Sequence, residues 1–109
     1  MDAGRFDTRV SFERLSTTTD AEGSTVETWT PLFSRWANIQ INNATETFKN
    51  DQDFAQRTGF AIIRLDPETK TLLTDDRLLW DGEAFDVLGV MNVQNRDELL
   101  EVSIRRYAG

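Results

Sequence analysis

The chain has 109 residues, 12 Lys and Arg against 19 Asp and Glu, and a formal net charge of −7. One domain and one hydrophobic core are what that length supports, so residues 1–109 are taken as a single domain. Cys and His are both absent. That excludes disulfides, thiolate nucleophiles, most zinc sites and the commonest general base. The negative balance argues against binding of nucleic acid or anionic membrane through the surface as a whole. With no long apolar run and no signal-peptide pattern, a soluble protein made in a cytoplasm is expected.

In chain order, residues 8–15 alternate apolar Val10 and Phe12 with polar neighbours, the period of a half-buried strand. Residues 16–23 form a polar loop with Asp20 and Gly23 as turn residues, and 24–29 form a second strand ending on Trp29. Thr30-Pro31 is expected to interrupt pairing, since proline lacks the ladder donor. Extended structure resumes over 33–41, with Ala37, Ile39 and Ile41 on one face.

Residues 42–57 differ from what precedes them. They are polar, with Phe48 and Phe54 as the only large apolar side chains, and both helix and mobile loop fit. Two aromatics in polar surroundings suggest a partner groove, or a segment that tucks back onto the domain. Residues 58–65 read as a strand, followed by a turn at Asp66-Pro67-Glu68-Thr69. Asp81-Gly82 is a two-residue hairpin turn between 75–80 and 83–90. The last strand spans 98–106, with Leu100, Val102 and Ile104 inward. The expected fold is mainly β: a small antiparallel barrel of about six strands with one long, partly helical or irregular loop at 42–57.

Chemistry-bearing constellations are sparse. Asp75-Asp76 are neighbours that a strand would point to opposite faces, a poor arrangement for paired acid and base. Asn50-Asp51-Gln52-Asp53 lacks the Gly and Glu of a calcium loop. No enzyme, metal or cofactor is therefore expected. Arg96 and Arg105-Arg106 are the nearest approach to a basic cluster, either a charged strand edge or a contact for an acidic neighbour. Trp29, Trp36 and Trp80 are expected in or near the core. Asp66 to Asp86 holds seven acids against Lys70 and Arg77.

A set of ordered motifs resembles the phage head–tail joining family, the head-closure or stopper proteins of long-tailed phages and gene-transfer particles. It runs from Ala3-Gly4-Arg5-Phe6 through Arg9-Val10-Ser11-Phe12-Glu13-Arg14, Asp20-Ala21-Glu22-Gly23 to Trp29, and Trp36-Ala37-Asn38-Ile39. It closes with Arg77-Leu78-Leu79-Trp80-Asp81-Gly82-Glu83-Ala84-Phe85-Asp86-Val87-Leu88-Gly89-Val90 and Glu98-Leu99-Leu100-Glu101-Val102. The resemblance covers nearly the whole chain; Asn43-Ala44-Thr45-Glu46 departs from the Gly-Arg-Glu-like stretch of many relatives.

The resemblance implies a non-catalytic connector subunit in the neck of a virion or phage-like particle. It would form a ring between the portal adaptor and a tail-terminator or tail protein, with packaged double-stranded DNA passing through the channel. Its long loop would face the channel or a neighbour, through Asn43, Glu46, Phe48, Lys49, Asp51, Asp53, Phe54 and Arg57. Arg5, Phe6, Arg96, Arg105 and Arg106 are the candidate subunit contacts. The rival reading is a small acidic barrel that binds protein or single-stranded nucleic acid, which needs a basic groove with stacking aromatics.

Overall fold

A computed structural model describes residues 6–47 and 53–108. Six strands make one antiparallel sheet that closes on itself: β1 Thr8–Thr19, β2 Thr25–Thr47, β3 Asp53–Arg64, β4 Arg77–Trp80, β5 Glu83–Asn92 and β6 Leu99–Ala108. Their order round the barrel is β1-β2-β3-β6-β5-β4. Closure comes from β4 pairing with β1, where Ser11, Phe12 and Glu13 face Leu79, Leu78 and Arg77.

The alternation in the sequence becomes the wall of this barrel. Val10, Phe12, Ala37, Ala61, Ile63, Leu78, Phe85, Val87, Leu100, Val102 and Ile104 point inward and pack into one core. Ile39, Ile41 and Trp80 pack against it, and Phe12 meets Phe33 with ring centroids 5.2 Å apart. These side chains fill the interior, so the barrel is a packed body rather than a pore.

Turn chemistry acts where the sequence places it. Asp20 Oδ1 accepts the backbone N–H groups of Glu22 and Ser24, each at 2.9 Å, and Gly23 takes φ 85°. The β4–β5 turn has φ 52° at Asp81 and 76° at Gly82, the doubly positive turn that matches strand twist. Strand β1 runs to Thr19, so the hairpin loop is shorter than residues 16–23 suggested. Its threonines hold an extended backbone without an apolar partner to advertise it.

Pro31 does not break the strand. Phe12 faces Phe33 while Glu13 faces Pro31, which leaves Leu32 as an extra residue in β2. A bulge is where a missing ladder donor costs least. A straight strand of 23 residues would be about 76 Å long. The molecule measures 50 × 42 × 24 Å, so β2 bends round the barrel.

The largest correction concerns 42–57. Helix and irregular loop are both ruled out for its described parts: β2 continues through Thr47 and β3 starts at Asp53, with Asn42 facing Thr58 and Thr47 facing Asp53. The segment lacks apolar alternation, the signal by which a strand is recognised, yet its described residues pair without it. Trp36 is also corrected. It is 54% exposed, because Ala37 points inward and its chain neighbour must point out.

Candidate functional site

The fold leaves two β-arms outside the closed barrel. At one end, Arg14 to Thr19 pairs only with β2, since the last β1 residue facing β4 is Glu13. This first arm is a two-stranded ribbon whose tip is the Asp20–Ser24 turn. At the other end, β1 stops facing β2 at Ala37, and β2 runs on past Ile39 and Ile41, which pack against the core, to residues 42–47, which pair only with β3. There β6 adds a third strand, with Arg57 facing Arg106 and Ala55 facing Ala108. The radius of gyration is 16.0 Å, against about 13 Å for a compact domain of this length. The arms account for that excess.

Ion pairs clamp the first arm to the barrel. Arg14 grips Asp76 with two bonds, Nε to Oδ1 and Nη2 to Oδ2, both 2.9 Å. Arg14 also donates to the Thr71 carbonyl at 2.8 Å. Asp76 is buried, 3% exposed, and accepts the Leu73 N–H as well. The hydrogen bond to Asp76 raises the Arg14 pKa, against the opposing cost of burial. Arg35 pairs with Asp66 at 3.0 Å and Glu68 at 2.7 Å. The Arg35 hydrogen bond holds Asp66 below the ordinary carboxylate range, and the Thr69 and Glu68 N–H groups add to that.

These pairs break up the acidic stretch seen in the sequence. Asp66, Glu68 and Asp76 sit at the first-arm end and are matched to Arg35 and Arg14. Glu83 is at the opposite end, bonded to Arg57 and 3.8 Å from Arg106. The seven acids therefore make no single face.

The candidate residues distribute as follows. Asn43 and Glu46 lie on β2, and Asp53, Phe54 and Arg57 on β3, so one arm carries all five. Phe48, Lys49, Asp51 and Arg5 lie outside the described residues. Phe6 stacks under Arg64, 5.0 Å from ring centre to guanidinium. Arg105 and Arg106 line an open hollow of ≈ 470 Å³ with Gly82, Ala84 and Asp86. Arg96 follows the short 3-10 turn Val93–Asn95, at the other end of the barrel. The three arginines are thus no cluster: β6 runs the length of the barrel between them.

Among the described residues no group of three acidic side chains is placed to hold a metal. Asp75 is exposed while Asp76 is buried against Arg14, so the two do not share a cleft. What the surface offers is contact: two arms and a largely uncharged outer wall.

A model of the phage head completion protein family matches residues 1–106. The chain belongs to that family. Head completion proteins are structural parts of a virion, and head closure is the role the family carries. No curated protein matches the chain. Among solved structures, a chain from the virion of a native gene transfer agent particle is similar in fold, with a TM-score of 0.73 at 15% identity. The likeness covers 96% of this chain and 97% of that one, so barrel and arms are both within it.

Sequence reasoning missed the exposed wall. Placing Ala37, Ile39 and Ile41 on one face already puts Trp36 on the other. Tryptophan is more often buried than not, which masks that signal.

Proposed function

We propose that this head completion protein is a ring subunit between the portal adaptor and the tail, joining head to tail and helping to retain packaged DNA. The observation that carries the reading is the family match along residues 1–106, which leaves almost none of the chain for another task. The architecture is consistent with it. A barrel filled by Phe12, Ile63, Leu78 and Phe85 has no lumen, so a DNA channel would lie between subunits, around the axis of a ring. Arms at opposite ends of one subunit suit head-to-tail contacts that close by rotation.

In this reading the arm of residues 42–57 faces the channel or the next subunit, with Asn43, Glu46, Phe48, Lys49, Asp51, Asp53, Phe54 and Arg57 as its contact residues. Arg5, Phe6, Arg96, Arg105 and Arg106 contribute to contacts with neighbouring subunits, the adaptor or the tail protein. The net charge of −7 keeps double-stranded DNA sliding rather than sticking. The chain of similar fold comes from a virion particle; in this reading the subunit sits in the neck and is synthesised in the host cytoplasm.

The test is cryo-electron microscopy of the intact particle. Ring density for this chain between adaptor and tail is the expected result. A neck fully accounted for by other chains would overturn the connector role.

A further inference from the structure

Apolar surface is unevenly placed on the outside of this barrel. Among the described residues, seven large apolar side chains are exposed: Leu15, Val26, Trp36, Phe60, Leu73, Leu88 and Met91. Four of them, Trp36, Phe60, Leu88 and Met91, lie on the outer wall formed by β2, β3, β6 and β5. The register makes that wall one face. Asn38, Ile62, Glu101 and Met91 form one row across it, and Gln40, Phe60, Ser103 and Gly89 form the next. Ile62 at its centre is 4% exposed although it points away from the core. Ile62 is covered within the chain itself, so the surface open to a partner is Trp36, Phe60, Leu88 and Met91, and Trp, Phe and Met are residue types enriched at interface cores.

Two cations edge this wall. Arg9 lies 5.4 Å over the Trp36 ring and Arg64 5.0 Å over Phe6. Both arginines are exposed. Glu101 is the one carboxylate within the two rows.

Two of the remaining exposed apolar residues, Leu15 and Val26, are on the first arm. Residues 15–34 hold Asp20, Glu22 and Glu27 and neither Lys nor Arg. Residues 15–28 are all exposed. Two strands by themselves are marginal in water, so such an arm gains most from a partner that covers it. Both arm and wall stay exposed within one chain, so the arm does not reach its own wall.

We infer that the acidic β1–β2 arm of one copy docks on the Trp36–Phe60–Met91 wall of the next. Val26, on the arm face opposite to Leu15 and Glu27, would cover the apolar rows, and Asp20 and Glu22 at the tip would meet Arg9 and Arg64. Arm and wall are different surfaces of one chain, so the contact is heterologous and repeats round a ring. The inference rests on the ring reading above and assigns the subunit contact within it.

Because the chain has no cysteine, cross-linking tests this directly. Particles are assembled with a mixture of Val26→Cys and Met91→Cys chains and mildly oxidised. The expected product is a heterodimer of the two variants, and a Val26→Cys/Met91→Cys double variant should give a ladder of longer oligomers. Reversing the tip with Glu22→Lys should cut that ladder by about tenfold, as like charges then face each other, whereas Glu27→Lys, on the opposite face of the arm, should leave it. Ring density without the heterodimer overturns this contact alone, and so does a Val26→Cys cross-link to itself or to another virion protein. Loss of the ladder on adding a single-stranded oligonucleotide would give the wall to nucleic acid instead. Absence of ring density overturns both this contact and the connector role.

Discussion

At the scale of residues, arginine–carboxylate pairs across long sequence separations tie the barrel to its connections. Asp76 accepts two bonds from Arg14 and one from the Leu73 N–H. Replacing Asp76→Ala removes the acceptor for both and leaves the arginine head without its partner. The expected loss is about 2–3 kcal/mol, read as a lower urea midpoint at unchanged slope. Asp66 contributes to the loss of stability in acid. Its pKa is lower in the folded chain than its ordinary 3.8, chiefly through the Arg35 hydrogen bond. A group depressed by folding contributes stability that is fully present above its unfolded pKa and lost as pH falls through the folded one. Wild type should therefore lose stability below about pH 4, and Asp66→Asn should lose less over that interval. Thermal unfolding at pH 7, 4 and 3 checks this.

At the scale of elements, the arms differ from the barrel in what holds them. The barrel strands are fixed by inward side chains such as Val102 and Ile104, whereas residues 42–47 of β2 and 53–57 of β3 are joined by backbone ladders to each other, and β3 in turn to β6. Deleting residues 43–56 should leave a barrel that still unfolds cooperatively, while production of infectious or DNA-transferring particles is abolished. Urea unfolding and a particle titre measure the two halves of that outcome. Non-cooperative unfolding of the deletion would show that the segment belongs to the folding unit. Gly59 marks the seam between arm and barrel: a Cβ there would stand 1.9 Å from the Gln40 carbonyl oxygen. The strands approach so closely at that point that only glycine fits.

At the scale of the whole molecule, three residue pairs between β1 and β4 close the sheet, and long free edges remain on the arms. The shape that results is a small rigid body with extensions at both ends, suited to contacts that run from one copy to the next. Much of this was legible in the chain. The alternation at Val10 and Phe12, and at Leu100, Val102 and Ile104, gave the inward face, because a strand has a period of two and a barrel has an inside. Asp20, Gly23 and Asp81-Gly82 gave the turns, because their preferred backbone angles are local. The ordered motifs gave the family. Tertiary structure alone decided that 42–47 and 53–57 are paired, since strands without apolar alternation have no period to read. It alone separated Arg96 from Arg105 and Arg106, matched Asp66, Asp76 and Glu83 to arginines on distant strands, and turned Trp36 outward on the same wall as Phe60. Those outcomes depend on register and closure, which are properties of strands in contact rather than of any stretch of sequence.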